Sequence, residues 1–211
     1  MMVKELIEII NDFGVNVIFD NSQEVASKII RGGFPLYFTP VDGKEKLKYE
    51  KISNKAKFIS TTPTIHIIDL SIDNFIDMFK CDVSGIYEYT KNLIKPYCTN
   101  EIPEDIVYVI FSFLHEVGHW KQFMDMDKKV ELFVNKDLKL SKDNFEKYQE
   151  FQRKRSERIK KGSDCIITYN EKKLVNQYMN EYRKIPKEKE ADEFALENLD
   201  KTINKYINKT K

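Results

Sequence analysis

Phe111-Ser112-Phe113-Leu114-His115-Glu116-Val117-Gly118-His119-Trp120 sets His-Glu-x-x-His in an apolar, helix-like context. On an α-helix, residues four apart share a face, with Cβ atoms about 5–6 Å apart. His115 and His119 can therefore grip one metal ion from one side. Glu116 is turned about 100° from His115 and falls beside the ion rather than on it. Two imidazoles plus a carboxylate placed to take a proton from water is the arrangement of a zinc hydrolase. The chain has 3 histidines, and two stand in this motif. The structural alternative is a buried amphipathic helix whose histidines merely complete a core.

The helix that carries the motif starts at Pro103-Glu104-Asp105, a proline followed by acids that suit the helix dipole. It is expected to run to about Met124, with Ile106, Ile110, Phe113, Val117 and Met124 as its core stripe. Gly118 lowers helix propensity, so it serves either a close backbone approach near the metal or simple helix packing.

Upstream, the pattern alternates. Leu6, Ile9, Ile10 and Phe13 repeat at helical spacing before Gly14. Val15 to Phe19 reads as a strand, Ser22 to Arg31 as a helix, and Phe34 to Val41 as a strand with proline at its ends. Asp42-Gly43 is a hairpin-type turn signal. Lys44 to Ser53 suits a strand or a loop. Phe58 to Thr61 and Thr64 to Leu70 read as strands, the second expected at an exposed edge beside the cleft. From Ser71 the pattern turns helical, over Ile72 to Phe79 and then Ser84 to Lys95. Beyond the motif, Asp125 to Lys142 is ambiguous. Asp143 with Glu146 resembles a capping box opening a helix to about Lys161. Further helices cover Glu171 to Lys184 and the chain from Pro186. The expectation is α+β: one domain over 1–211, with a small sheet and helices in about 1–70 and a mainly helical part in about 71–211.

Length, charge and cysteines bound the rest. The chain of 211 residues has a net charge of +1, so as a whole it is no electrostatic partner for nucleic acid. The basic run Arg153 to Lys161 reads as a solvated helix face with i,i+4 pairs. Cys81, Cys98 and Cys165 form no CxxC pair, which fits a reducing, cytoplasmic setting. Acids interrupt the apolar N-terminal residues, so these do not read as a signal peptide. Ile106 to Leu114 is far short of a membrane span.

A catalytic zinc takes three protein ligands and an open position. Cys165 and His66 are weak candidates for the third. His66 lies in a strand, opposite Ile65 and Ile67. Carboxylates in Glu188-Lys189-Glu190-Ala191-Asp192-Glu193-Phe194-Ala195 are better. Glu188, Ala191, Asp192, Ala195 and Leu199 form a stripe of small or apolar residues with two carboxylates. Glu190, Glu193 and Glu197 form a separate acidic stripe suited to water. The first stripe is therefore expected to face the His115–His119 helix.

His115-Glu116-Val117-Gly118-His119 followed by Glu188-x-x-Ala191-Asp192-x-Phe194-Ala195 resembles the gluzincin zinc metallopeptidases, nearest to the cytoplasmic ImmA/IrrE-like branch. The resemblance implies Glu188 as third zinc ligand and Asp192 as the partner of a ligating histidine, with Glu116 as general base. It also implies a Tyr or His that stabilises the oxyanion, for which His66, Tyr178 and Tyr182 are candidates. The expected function is a soluble zinc metalloendopeptidase acting on a protein or peptide, without membrane and with no role for nucleic acid. The alternative is a metal-binding regulatory or interaction module on the same fold without turnover.

Overall fold

The computed structural model describes residues 1–20, 35–81, 85–160 and 169–211. The helix expected over Ser22 to Arg31 lies outside them, as does Cys165. The order is α1 (Val3–Ile10), β1 (Asn16–Asp20), β2 (Leu36–Thr39), α2 (Gly43–Lys51), β3 (Thr64–Ile68), α3 (Ile72–Cys81) and α4 (Ile86–Ile94). Then come α5 (Glu104–Asp125), α6 (Val130–Asn135), α7 (Leu138–Lys160), α8 (Tyr169–Tyr182) and α9 (Pro186–Thr210). A small three-stranded sheet precedes a helical half, so the fold is α+β. None of the described helices is long and apolar enough to cross a membrane.

The sheet order is β1-β3-β2, with β1 parallel and β2 antiparallel to β3. This corrects the expected edge position of Thr64 to Asp69. β3 is central and buried along its length, and β1 and β2 are the edges. The run Ile65-His66-Ile67-Ile68 suits a strand covered on both faces, but which flank it pairs with depends on residues far away in sequence.

α5 is the hub. The expected single stripe is too narrow, because residues 106–111, 113–115 and 117–119 are all buried. A helix apolar on nearly every side must be enclosed. Here α1, α3, α4, α9, β2 and β3 all pack on it. α9 buries Glu188, Ala191, Asp192, Ala195, Leu199, Thr202 and Ile203, which is the expected inward stripe extended by one turn. Glu190, Glu193 and Glu197 are exposed.

Three other elements differ from expectation. Asp42-Gly43 opens helix α2 instead of turning a hairpin, and the uncertain segment Lys44 to Ser53 is mostly this helix. Its lysines and glutamates are good helix formers, and none of its residues is buried. Phe58 to Thr61 is a loop with one isolated bridge, Ile59 to Lys129. Its polar groups bind Glu45 instead of a ladder. The N–H groups of Thr61 and Thr62 donate to the Glu45 carboxylate at 2.7 and 2.9 Å, and the hydroxyls of Ser60, Thr61 and Thr62 join them. Against the upward push of burial, these bonds hold the Glu45 carboxyl at about 2. Finally, α7 begins at Leu138, so Asp143 and Glu146 lie inside a helix rather than at its cap.

Candidate metal centre

α5 presents His115 and His119 one turn apart, with ring centroids 4.7 Å apart and planes at 83°. α9 crosses beside them. A methyl group on Gly118 would meet Ala191 Cα at 2.9 Å, its carbonyl oxygen at 3.1 Å and its Cβ at 3.2 Å. Glycine thus brings the two helix backbones together at the one point flanked by His119 on α5 and Asp192 on α9.

The consequence is convergence. Glu188 Oε2 lies 3.4 Å from His115 Nε2 and 3.5 Å from His119 Nε2. All three residues are buried, and their candidate ligand atoms lie within 4.8 Å of one another. Bonds of about 2.0–2.2 Å in a tetrahedral site put neighbouring ligand atoms about 3.3–3.5 Å apart. The spacing therefore fits a metal ion of that size.

Each imidazole is also oriented for a metal. His115 Nδ1 donates to Asp192 Oδ1 at 2.9 Å, and His119 Nδ1 donates to Gln122 Oε1 at 3.2 Å. With Nδ1 held by these partners, Nε2 is the atom each ring turns toward Glu188 and an ion, and at His115 an Arg183 guanidinium nitrogen also lies 3.2 Å from it. Both partners are anchored in turn. Asp192 Oδ2 accepts from the Tyr89 hydroxyl at 3.2 Å, and Oδ1 also accepts from Arg183 at 2.9 Å. Gln122 donates to the Lys187 carbonyl at 2.7 Å and to Glu190 at 3.2 Å.

Glu116 does not join the three. Its carboxylate accepts from the backbone N–H of Phe38 at 2.7 Å, which ties it to the outer edge of β2. Sequence periodicity sets it beside the histidines, and the sheet edge then holds it there.

The charges interlock. Burial and the adjacent Arg183 guanidinium pull the His115 pKa down, but Asp192, Glu188 and Glu116 outweigh them and raise it to about 9. Burial raises the Glu188 pKa, yet His119 and His115 together hold it well below the usual carboxylate range. Burial and the Glu188 carboxylate, which its hydroxyl meets, push the Tyr182 phenol well above its ordinary value. Burial lowers the Lys187 pKa against the opposing pull of Glu188 and Glu116.

Of the residues named for oxyanion stabilisation, Tyr182 lines the cleft with the histidines, whereas Tyr178 and His66 do not. The Tyr178 ring packs on Phe151 of α7 at 6.2 Å. His66 turns to the face of β3 that it shares with Tyr37, stacked on that ring at 5.1 Å and bonded to Asp20 at 3.2 Å. Alternation along the strand aims it away from Ile65 and Ile67 and hence from α5. It is also buried.

The sequence reading missed Arg183, Tyr89, Gln122, Lys187 and the Phe38 N–H. Gln122, three residues after His119, is the one with a local signal, since i,i+3 residues meet on a helix. The others depend on chain crossings.

The cleft, about 260 Å³, has two ends. Phe111 flanks His115 at 6.5 Å, and with Phe79, Ile86, Tyr108 and Met179 it makes one end apolar. Phe133 flanks His119 at 6.4 Å, and Lys187 lies there. A scan against protein-family models and searches of curated proteins and of solved structures return no match, so the functional reading rests on this geometry.

Proposed function

We propose that the protein is a cytoplasmic zinc metalloendopeptidase of the gluzincin type, nearest to the ImmA/IrrE-like branch, hydrolysing peptide bonds in a protein substrate. The observation that carries this reading is the approach of Glu188 Oε2 to both Nε2 atoms at 3.4 and 3.5 Å. Glu116 lies beside that group, its carboxylate held by a backbone N–H.

His115, His119 and Glu188 would hold the ion, and Asp192 and Gln122 would fix the two rings. A bound zinc ion supplies Lewis acidity, which acidifies water and polarises a carbonyl. Glu116 takes the proton from the attacking water and returns it to the leaving amine. The Phe38 N–H keeps that carboxylate from swinging onto the ligand set. Tyr182, next to Glu188, is the candidate to donate to the developing oxyanion. An extended substrate would lie along β2, the sheet edge that lines the cleft through Leu36, Tyr37 and Phe38. The apolar end around Phe111 would take one of its side chains. No nucleic acid or membrane is needed.

The test pairs metal analysis with turnover. Protein purified without added metal should carry one zinc per chain, lost in His115→Ala. Glu116→Gln should keep zinc and fold while peptide hydrolysis falls by about 10²–10⁴-fold or more. Equal zinc in wild type and His115→Ala would end the metal reading. Undiminished cleavage of a verified substrate by Glu116→Gln would remove Glu116 as the base. Full zinc with no hydrolysis in any protein digest would favour the regulatory alternative.

A further inference from the structure

Lys187 precedes Glu188 at the start of α9, and its backbone is clamped on both sides. Its N–H donates to Asp137 at 3.0 Å and its carbonyl accepts from Gln122 at 2.7 Å. The side chain is thereby directed from a fixed point. Its ammonium lies 3.6 Å from the centroid of the Phe133 ring and lines the cleft with Glu116, His119 and Glu188. Among the described residues no carboxylate is within ion-pair distance of it, whereas neighbouring Lys136 is engaged by Glu190 at 2.5 Å.

The formal charges around the cleft leave this ammonium without a carboxylate in contact. Arg183 and Asp192 neutralise each other through a 2.9 Å contact. Glu188 and Glu116 match the two charges of a divalent ion. Lys187 feels these two carboxylates and Asp137 at a distance but forms no contact ion pair, in a partly desolvated wall where charge is screened far less than in water. The ring of Phe133 offers its face to the cation but no countercharge. An anion arriving in the cleft would supply one.

Resting on the metallopeptidase reading, we propose that Lys187 is an anion subsite selecting peptides that present a carboxylate at the Phe133 end of the cleft. That carboxylate belongs to an Asp or Glu side chain or to the peptide's C terminus. The opposite end, around Phe111, Tyr108 and Met179, takes an apolar side chain. The preferred substrate thus has an acidic group and an apolar group on opposite sides of the scissile bond.

Binding can be read without turnover, in zinc-loaded Glu116→Gln protein dialysed against hexapeptide pools. Amidated pools carry Glu, Gln or Lys fixed at each position in turn, and a further Gln pool has a free C-terminal carboxylate. Retention is measured by mass spectrometry. Pools with Glu at one position, or the free-acid pool, should be retained about tenfold over their neutral counterparts. Which of the two is retained identifies the source of the carboxylate. Added Lys187→Met should abolish the preference, and Lys187→Arg should keep it, with zinc content equal in all three proteins. Retention without charge preference, or a preference that survives Lys187→Met, overturns the subsite. The wild-type Lys187 comparison of Glu with Gln decides even where Lys187→Met does not fold. Retention of no pool by zinc-loaded protein counts against the peptidase reading itself and takes the subsite with it.

Discussion

Gly118→Ala tests how the site is assembled. The change adds one methyl group and, by propensity alone, should stabilise α5 by about 1 kcal/mol. The structure argues otherwise. The new Cβ would stand 2.9 Å from Ala191 Cα and 3.1 Å from its carbonyl oxygen, both backbone atoms that no rotamer can move. Carbon pairs settle at about 3.5–4.0 Å, so α9 must retreat by roughly 0.6–1 Å. Overpacking of that kind costs about 1–3 kcal/mol. Net of propensity, the metal-free protein should lose about 0–2 kcal/mol. For a chain of this size that is a melting shift of up to about 8 °C. The site suffers more than the fold. Metal–ligand distances tolerate about 0.2 Å, and Glu188 and Asp192 move with α9. Zinc affinity should fall by at least the 10–100-fold seen when an outer partner alone is lost. Competition titration against a chelating dye measures the affinity, and melting of metal-free protein measures the fold. Adding Ala191→Gly should rescue only in part, because it removes the 3.2 Å contact and leaves the two closer ones. A Gly118→Ala protein that melts higher than wild type and binds zinc equally well would refute the close-approach argument.

Three further outcomes follow from the same site. Glu188→Ala should weaken zinc binding by more than the 10–100-fold typical of an outer-shell change, while Glu190→Ala, whose exposed carboxylate meets Lys136 and Gln122, leaves it nearly unchanged; the reverse order in a dye titration would show that α9 faces the other way. Zinc needs neutral imidazole, and His115 in the metal-free protein is raised to about 9, so the apparent dissociation constant should fall about tenfold per pH unit between pH 6 and 8 and level off near 9. A raised histidine stabilises the metal-free fold fully below its unfolded value near 6.5 and loses that contribution as pH rises through about 9. Metal-free protein should therefore lose stability on that alkaline limb, and a zinc affinity flat from pH 6 to 8 would contradict the assignment.

Local spacing already determined much of this protein. His115 and His119 share a face because they are four residues apart on a helix, and Glu116 is beside them for the same reason. The inward stripe of α9 was legible because only one face of Pro186 to Leu199 is small and apolar, and Glu188 and Asp192 lie on it. Tertiary structure decided what spacing cannot express. Thr64 to Ile68 is central because β1 and β2 both pair with it, and a buried strand looks alike at the centre or the edge of a small sheet. Asp42-Gly43 opens a helix because Glu45 has Ser60 to Thr62 to bind, in the segment where the local pattern suggested a strand. Arg183 from the turn before α9, Tyr89 from α4 and the Phe38 N–H from β2 reach the site from separate segments, and hydrogen bonds between distant segments leave no periodic trace. Gly118 spans both levels: the sequence shows a helix-weakening residue beside His119, and only the crossing of α5 with α9 shows that the missing side chain is the space Ala191 occupies.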